Sequence, residues 1–345
     1  MQISLTQYLA LFSAAMLAVG FLTPLMRIVA IRLNVVDNPD QGHKTHRTPI
    51  PYLGGVAIIL GVLAVTSFSL IGYSMSQANI LLALSLLIPA IALGLIGLVD
   101  DIQNLSPWPR FVAQSAVGLL TAILLIITDT VGSPTGSVLV DALITIIWIV
   151  GITNSINFFD NLDGGASGNV AITSIALLIL ALQGEQYLIA ALAAVLAGAT
   201  SGFLLWNKPP ARIYMGDAGA LFLGLLIASL VVRLDTNPIN GFATFSIPIF
   251  LLAVPIMDTS VAVLSRLQRR ISPFQGGKDH LSHRLMRSGL SKRLSVISLW
   301  IMTAYFAAIA IAISYAPYPL EGLFSTLGAT FWLAFFLWFL KKSDV

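Results

Sequence analysis

Apolar segments of about 20 residues, the length that crosses a bilayer as a helix, recur along nearly the whole chain and restrict its fold more than any other feature. Of the 345 residues, 57% are hydrophobic and only 10% are charged, whereas a soluble domain carries about 25% charged residues. A soluble fold of this length has no way to bury so much apolar surface. The sequence therefore predicts an all-α, polytopic membrane helix bundle. It excludes a soluble enzyme, a disordered chain and a secreted disulfide scaffold.

Eleven of these segments are predicted to be transmembrane helices. They lie near residues 5–29, 52–73, 79–99, 111–128, 138–157, 168–183, 186–206, 218–233, 242–264, 294–315 and 320–340. The signals within 157–186 are weak, and the alternative there is two spans with a re-entrant piece, which gives ten to eleven spans. The first segment is too long for a removable signal peptide. Because no segment between spans could fold alone, residues 1–345 are predicted to form one membrane domain.

The loops between the spans alternate in charge. On this topology, 17 of the 18 Lys and Arg residues fall on one side of the membrane, and only Arg233 falls on the other. The positive-inside rule makes the basic side cytoplasmic. The N-terminus is then predicted outside and the C-terminus inside. All four histidines and seven acids at or near helix ends share the cytoplasmic side, which predicts that the chemistry takes place there.

Cysteine is absent from the chain. Thiolate and disulfide chemistry is therefore excluded, and any metal must bind oxygen or imidazole ligands, which favours a hard cation. The motifs of P-loop NTPases, of nucleophile elbows and of HExxH metalloproteases are also missing from the sequence.

Two adjacent acids, Asp100 and Asp101, end the third predicted span. Ionised side chains next to hydrocarbon are costly and are usually functional. Because adjacent carboxylates repel each other, they are stable only where a metal ion or a cationic side chain shares their site. The alternative is a solvated helix end followed by a turn at 104–109.

Four polar residues follow at steps of three near the end of the fifth span: Asn154, Asn157, Asp160 and Asp163. On a helix, this spacing forms a stripe along one face. Such a stripe offers hydrogen bonds to a nucleotide or a sugar and oxygen ligands to a cation. A polar helix end capped by the glycines at 164–165 is the alternative.

A proline-stiffened loop leads from Asn207 to Asp217, which lies between two glycines near the start of the eighth span. Mg²⁺ is typically bound by one or two carboxylates, with water and substrate phosphates as its other ligands. Asp217 fits that role. A simple helix N-cap is the alternative.

Two basic loops complete the predicted cytoplasmic side. Residues 265–293 hold eight Lys or Arg, and His280 and His283 stand three residues apart close after Lys278, a pattern suited to phosphate oxygens. The loop before the second span carries His46 and Arg47 near a helix N-terminus, which is a favourable place for phosphate. For both loops, a segment that only sets topology and attracts anionic lipid is the alternative.

Six segments, taken in order, resemble the polyprenyl-phosphate N-acetylhexosamine-1-phosphate transferase superfamily of bacterial membranes. They are RTPIPYLGG, GLVDDIQNLSPWPRFVAQ, NSINFFDNLDG, WNKPPARIYMGDAG, PIMDT and DHLSHRL. DDIQNLSP with a following RFxxQ is similar to the branch that uses UDP-N-acetylglucosamine or a related UDP-sugar. The phospho-MurNAc-pentapeptide translocase branch usually has a lysine soon after its acidic pair, whereas none follows here before Lys208.

The resemblance implies transfer of a sugar 1-phosphate, GlcNAc 1-phosphate in this branch, from a UDP-sugar to undecaprenyl phosphate, with undecaprenyl-diphospho-sugar and UMP as products. It implies Mg²⁺ or Mn²⁺ as the cofactor and membrane lipid as a partner, with no role for nucleic acid. It also implies a bacterial cytoplasmic membrane protein whose active site faces the cytoplasm. A homodimer is compatible with it.

The resemblance further implies roles for single residues. Asp217 would bind the metal on the diphosphate, while Asp100, with Asp101 beside it, would deprotonate or orient the lipid phosphate. The residues expected to contact the nucleotide or organise the site are Asn157, Asp160, Asp163 and Asn207. The histidine-loop residues expected to contact diphosphate or sugar are Lys278, His280, His283 and Arg284, and His46 and Arg47 of the first basic loop complete the predicted substrate site.

One departure from the family pattern concerns the sugar, because the branch often has H-x-H-H-R-L and this chain has Ser282 before His283. Three other functions compete with the assigned one. They are the phospho-MurNAc-pentapeptide transferase, a cation-coupled transporter and a CDP-alcohol phosphotransferase. A transporter would place its acids near the bilayer midplane, usually in repeated halves. A CDP-alcohol enzyme would have an Ala-Arg pair soon after its first Asp-Gly. This chain has no visible repeat, and no Ala-Arg pair follows its Asp163-Gly164.

Overall fold

Nearly all of the described chain is helical. The computed structural model describes residues 4–37, 49–72, 76–103, 105–127, 135–235, 241–273 and 277–342. Its elements are α1 (Leu5–Arg32), β1 (Val36–Asp37), β2 (Ile50–Pro51), α2 (Gly54–Gly72), α3 (Gln77–Gln103), α4 (Pro107–Ile127), α5 (Val138–Phe159), α6 (Gly165–Gln183), α7 (Tyr187–Asn207), α8 (Gly216–Val232), α9 (Gly241–Leu251), α10 (Ala253–Gln268), α11 (Leu281–Arg287), α12 (Lys292–Tyr315) and α13 (Leu320–Lys341). The predicted helix bundle is confirmed, and the two strands add only a short antiparallel ribbon.

Nine helices within the described ranges are long and apolar enough to cross a membrane, namely α1 to α7, α12 and α13. Helix α8 is shorter, with 17 residues, and α9 and α10 form a pair bent by 76°. Large apolar side chains such as Phe68 and Ile71 are 81% and 86% exposed, as expected for a surface that contacts lipid. The protein is therefore a multi-pass membrane protein. The count of eleven spans and their orientation stay predictions.

The ninth predicted span is wrong as a single helix, because one helix ends at Leu251 and another begins at Ala253. Pro255 explains the break, since it has no N–H to donate to the carbonyl of Leu251 four residues earlier. The hydroxyl of Thr173 donates to that carbonyl instead, at 3.0 Å. The indole of Trp332 donates to the carbonyl of Ala253, also at 3.0 Å. Side chains from α6 and α13 therefore satisfy the backbone at the bend.

Helix α8 lies inside the bundle, where it packs against α2, α3 and α5 and where every residue from Ala218 to Val231 is buried. Two glycines bring its first turn against the end of α3. A Cβ on Gly97 would lie 2.4 Å from the carbonyl carbon of Asp217, and one on Gly216 would lie 2.4 Å from the carboxylate of Asp101. Gly216 also has a φ of 66°, in the left-handed region that favours glycine. This contact places two of the predicted acidic segments side by side.

The β ribbon connects the start of α2 with the loop before α8. The backbone N–H of Tyr214 donates to the carbonyl of Pro51 at 2.9 Å. In return, the N–H groups of Gly54 and Gly55 donate to the carbonyls of Tyr214 and Met215 at 3.0 and 2.9 Å. These bonds fix the approach to α8 relative to α2.

Candidate active site

The two adjacent acids at the end of α3 have different partners. Asp101 accepts hydrogen bonds from the backbone N–H groups of Asp217 and Ala218, at 2.8 and 3.1 Å. N–H groups in the first turn of a helix have no partner within that helix. Asp101 therefore caps α8 from a neighbouring helix, and the helix dipole favours a carboxylate in this place. The N-cap position of α8 itself is occupied by Met215, so Asp217 is not the N-cap.

Asp100 faces a cationic side chain. Nη1 of Arg110, in the first turn of α4, lies 2.6 Å from Oδ2 of Asp100 and 2.9 Å from Oδ2 of Asp217. The backbone N–H of Leu105 donates to the other oxygen of Asp100 at 2.8 Å. Nδ2 of Asn157 donates to the other oxygen of Asp217 at 2.9 Å. The ends of α3 and α5 and the starts of α4 and α8 thus meet at one place.

We call Asp100, Asp101, Arg110, Asn157 and Asp217 the acidic cluster. Four of these residues were candidates from the sequence, and the structure brings them together. The positive group expected beside the adjacent acids is, within the described chain, the guanidinium of Arg110.

The polar stripe predicted along α5 is interrupted. Helix α5 ends at Phe159, so Asp160 and Asp163 lie in the following turn rather than on the helix face. Nδ2 of Asn154 donates to a carbonyl of its own helix at 2.8 Å, and Asn157 is the member that reaches the acidic cluster. The prediction of one continuous face is wrong because the chain leaves the helix before the second half of the stripe.

Asp163 is 5% exposed and is bound by a lysine, a backbone N–H and the hydroxyl of Tyr214. Nζ of Lys292 lies 2.7 Å from Oδ1, and the backbone N–H of Ala211 donates to Oδ2 at 2.9 Å. Lys292 begins α12, and Ala211 lies in the loop before α8. Asp163 therefore holds the turn after α5 against both of these elements.

Asp160 differs from Asp163, because no donor within the described residues reaches its carboxyl group. Burial, together with the negative charges of Asp217 and Asp163, raises the pKa of Asp160 to about 7. A carboxyl group with such a pKa can take up or release a proton near neutral pH, as general acid–base catalysis requires.

Asn207, at the end of α7, has partners inside the protein. Its Oδ1 accepts from the backbone N–H of Gly164 at 3.0 Å and from the hydroxyl of Ser167 at 2.9 Å. Its Nδ2 donates to the carbonyl of Ile213 at 3.0 Å. With 1% of its surface exposed, Asn207 joins the turn after α5 to the loop before α8. These bonds give Asn207 a role in organising the site, and its predicted substrate contact stays a prediction.

Two tyrosines lie between the acidic cluster and the turn after α5. The ring centroids of Tyr52 and Tyr214 are 6.2 Å apart. Burial raises the pKa of both hydroxyl groups. The charge of Asp37 and its hydrogen bond contribute for Tyr52, and the charges of Asp163 and Asp37 contribute for Tyr214. Both hydroxyl groups therefore keep their protons and can act as hydrogen-bond donors.

We call residues 277–290 the histidine loop, and Asp258 of α10 anchors it. Oδ2 of Asp258 lies 2.7 Å from Nδ1 of His280, and Oδ1 accepts from the backbone N–H of Leu281 at 2.7 Å. Nη2 of Arg266 lies 3.3 Å from Nε2 of His280. Both contacts are satisfied when Nδ1 carries the proton and Nε2 accepts, so they assign this tautomer. Both ring nitrogens of His280 thus have partners within the protein.

His283 lies beside His280, with ring centroids 6.4 Å apart. Burial lowers the pKa of His283 to about 4, and His280 contributes to this shift. The imidazole is therefore neutral at pH 7 and offers one N–H donor to a ligand. The side chain of Lys278 is exposed in the same loop, and the predicted substrate contacts of both residues stay predictions.

The histidine loop packs on the turn after α5. The ring of His280 meets the ring of Phe158 edge to face, with centroids 6.4 Å apart. The hydroxyl of Ser282 donates to Oδ1 of Asn161 at 2.5 Å. Ser282 occupies the position where related chains often have another histidine, and here it joins the histidine loop to the segment that carries Asp160.

Arg284 has a different set of partners from the predicted one. Its side chain is 1% exposed, and Nη1 donates to the carbonyls of Phe339 and Lys342 at 2.9 and 2.8 Å. Nη2 donates to the hydroxyl of Ser265 at 2.8 Å. Arg284 thus joins α11 to α10 and to the end of α13, and its predicted substrate contact stays a prediction. His46 and Arg47 lie outside the described residues.

The acidic cluster suits a hard divalent cation. No group of three or more carboxylate or imidazole side chains among the described residues could hold a metal by itself. Mg²⁺ does not require such a group, because water and substrate phosphates complete its coordination. Asp100 and Asp217 present two carboxylate oxygens to the same nitrogen of Arg110, so this donor set fits a cation that is shared with a phosphorylated substrate.

The sequence analysis missed three residues of the site. Arg110 was predicted only as a loop charge and as part of the RFxxQ segment, and Lys292 only as one of the eight basic residues of 265–293. Asp258 was noted only within the segment PIMDT and as one of the seven acids near helix ends, without a role of its own. An acid within an apolar span is costly and is itself a functional signal, and this signal could have identified Asp258.

Comparison with known proteins places the chain in a family. The family model described as Glycosyl transferase family 4 matches residues 83–235, which include the acidic cluster and the turn after α5. A protein of Bacillus subtilis (strain 168) described as a probable undecaprenyl-phosphate N-acetylglucosaminyl 1-phosphate transferase is 33% identical over 337 residues, covering 95% of this chain and 87% of its own.

Two further relatives come from other bacterial groups. A decaprenyl-phosphate N-acetylglucosaminephosphotransferase of Mycobacterium leprae (strain TN) is 32% identical over 324 residues, covering 84% of this chain and 79% of its own. An undecaprenyl-phosphate alpha-N-acetylglucosaminyl 1-phosphate transferase of Escherichia coli (strain K12) is 27% identical over 326 residues, covering 90% of this chain and 84% of its own. The similarity therefore extends over most of the bundle.

Proposed function

Because the chain belongs to glycosyl transferase family 4, we propose that it transfers GlcNAc 1-phosphate from UDP-GlcNAc to undecaprenyl phosphate. The products are undecaprenyl-diphospho-GlcNAc and UMP. The observation that carries the proposal is the acidic cluster, in which Asp100 and Asp217, from separate segments of the chain, present carboxylate oxygens to one nitrogen of Arg110. Full-length relatives that are named for this transfer support it.

The proposed reaction joins two anions without water or a redox partner. An oxygen of the lipid phosphate attacks the phosphorus atom that carries the sugar. A new P–O–P bond forms, the bond between this phosphorus and the bridging oxygen breaks, and UMP leaves with that oxygen. The protein must therefore hold both phosphates in line and offset their negative charge.

We propose Mg²⁺ or Mn²⁺ as the cofactor, with Asp217 as its principal ligand and Asp100 beside it. The cation, when bound, offsets negative charge on the diphosphate. The protein contributes a fixed ligand: Asn157 holds one oxygen of the Asp217 carboxylate, and Asp101 holds the backbone of the same residue. Such support keeps a metal ligand in its productive orientation.

Asp160 is the group to which we assign the proton of the lipid phosphate. A phosphate monoester loses its second proton with a pKa of about 6, close to the pKa of about 7 for Asp160. No donor in the described chain occupies the Asp160 carboxyl group, whereas Asp100 is bound to Arg110 and to the backbone of Leu105. Asp100 then orients the site, and Asp160 accepts the proton.

The proposed location is the bacterial cytoplasmic membrane, with the site on the cytoplasmic face. UDP-sugars are cytosolic, and a lipid phosphate lies at the bilayer surface, so their phosphates meet at helix ends rather than at the bilayer midplane. One domain comprising residues 1–345 suffices for this scheme, and no step of it needs a second copy of the chain.

Release of UMP by the purified protein tests the proposal. The protein in detergent is incubated with undecaprenyl phosphate, Mg²⁺ and one UDP-sugar at a time, including UDP-GlcNAc and UDP-MurNAc-pentapeptide. UMP should appear with UDP-GlcNAc and should require both the lipid phosphate and the cation. Release of UMP with UDP-MurNAc-pentapeptide but not with UDP-GlcNAc would contradict the proposal, and so would release of UMP without lipid phosphate.

Asp217→Asn provides the site-specific test. The variant keeps the size of the side chain but removes the charge that binds the cation, so turnover should fall by about a thousandfold or more. Glu185→Gln is the matched control, because it neutralises an exposed acid in the α6–α7 turn, and its activity should equal that of the wild type. Normal turnover of Asp217→Asn at ordinary Mg²⁺ concentration would refute the assignment.

A further inference from the structure

Arg110 connects two carboxylates that come from different helices. A single nitrogen, Nη1, lies 2.6 Å from Oδ2 of Asp100 and 2.9 Å from Oδ2 of Asp217. The side chain of Asp100 is 6% exposed, that of Asp217 is 25% exposed and that of Arg110 is 30% exposed. The bridge therefore lies at the edge of the bundle, and the arginine is on its open side.

The other contacts of Asp217 bring no positive charge. Asn157 donates through a neutral amide, and Asp101, which binds the backbone N–H of Asp217, is itself an acid. Among the described residues, Arg110 is thus the cation within ion-pair distance of Asp217. A divalent cation held by the same oxygens of Asp100 and Asp217 would compete with this guanidinium for them.

We infer that Arg110 binds these oxygens in the cation-free protein and leaves Asp217 when the divalent cation binds. The inference rests on the proposed function, since the cation is that of the proposed reaction. A guanidinium group does not lose its proton in proteins, so it cannot release the oxygens by becoming neutral. Two cations at such a short distance repel each other, so the arginine must move. On the open side, its N–H groups are suited to phosphate oxygens.

Binding of Mn²⁺, followed by electron paramagnetic resonance of the free ion, tests this exchange without substrate or turnover. Wild type is compared with Arg110→Gln, Arg110→Lys and the control Arg32→Gln, which removes an exposed arginine at the end of α1. Arg110→Gln should bind Mn²⁺ about tenfold more tightly or better, because the competing charge is gone. Arg110→Lys keeps the charge and should lie between the wild type and Arg110→Gln, and Arg32→Gln should match the wild type.

Two results would overturn the inference while leaving the cation site in place. One is equal affinity of wild type and Arg110→Gln, within about twofold. The other is equal tightening in Arg110→Lys and Arg110→Gln, because charge would then not be the cause. Absence of Mn²⁺ binding in every variant would overturn the proposed cofactor as well. If Arg110→Gln does not elute as a folded protein in size-exclusion chromatography, Arg110→Met replaces it in the same comparison.

Discussion

Removal of the Asp258 carboxylate is expected to release the histidine loop from α10. The Asp258 side chain is 0% exposed, and two buried donors bind it at 2.7 Å each, Nδ1 of His280 and the backbone N–H of Leu281. A hydrogen bond to a charged group contributes about 1.5–3 kcal/mol. Asp258→Ala should therefore destabilise the docked loop by about 3 kcal/mol or more. That loss corresponds to roughly a hundredfold rise in the undocked population.

Hydrogen–deuterium exchange of peptides from 277–290, measured by mass spectrometry in detergent, reports the undocked population directly. When the segment opens and recloses faster than its open amides exchange, the exchange rate follows the open fraction. Asp258→Ala should then exchange roughly a hundredfold faster in this segment. Asp258→Asn should have a smaller effect, because its amide oxygen can still accept one of the two hydrogen bonds. Release of UMP should fall in the same order, since the undocked loop no longer packs on the turn that carries Asp160.

Asp141→Ala is the matched control for this experiment. Asp141 is also buried, with 7% exposure, but it lies in the first turn of α5, where it accepts from the backbone N–H of Thr135. Its removal should leave exchange in 277–290 unchanged. The reasoning would be refuted if Asp258→Ala exchanged within about threefold of the wild type in this segment, because the two hydrogen bonds would then not hold the loop.

Three further predictions concern other parts of the structure. Without divalent cation, Asp160→Asn should raise the unfolding temperature at pH 8, and this gain should shrink as the pH falls from 7 towards 4. Because the pKa of Asp160 is raised to about 7 from an ordinary 3.8, its ionisation opposes folding increasingly as the pH rises from 4 to 7. A gain in unfolding temperature that did not change with pH would contradict this reasoning. Lys292→Met should lower the unfolding temperature, because it leaves the buried carboxylate of Asp163 without its cation. Adding Asp163→Asn should restore part of the unfolding temperature. If it restores none, loss of the ion pair is not the cause of the drop. In intact cells, Ser288→Cys should resist an impermeant thiol reagent while Glu185→Cys reacts, and the reverse pattern would invert the predicted topology.

The bundle could be predicted from hydropathy, because lipid requires every spanning segment to satisfy its own backbone as a helix. The bend between α9 and α10 was missed, although its cause, Pro255, is visible in the sequence. A proline in an apolar span can kink the helix or be tolerated. The outcome here depends on donors from Thr173 and Trp332, which are distant in sequence. Hydropathy carries no information about such partners.

Residue spacing identified most of the acids but not how they are paired. Asp100, Asn157 and Asp217 were predicted members, and the packing of α3, α5 and α8 brings them together. Arg110 was predicted only as a charge and as part of the RFxxQ segment, and neither observation says which side chain it contacts. The stripe on α5 failed at Asp160 for a related reason: spacing shows where a helix would place a residue but not where that helix ends.

The two adjacent acids at the end of α3 show how packing gives neighbouring residues different structural roles. Successive side chains on a helix point about 100° apart, so Asp100 and Asp101 face different groups of the same neighbouring helix end, the side chain and the backbone of Asp217. Asp101 lies one turn beyond Gly97, and residues four apart share a helix face. On this face, Gly97 lets the first turn of α8 approach, and Asp101 caps that turn through the N–H of Asp217. Asp101 thus sets the position of Asp217, the proposed metal ligand, whereas Asp100, turned towards α4, shares the charge of Arg110 with it.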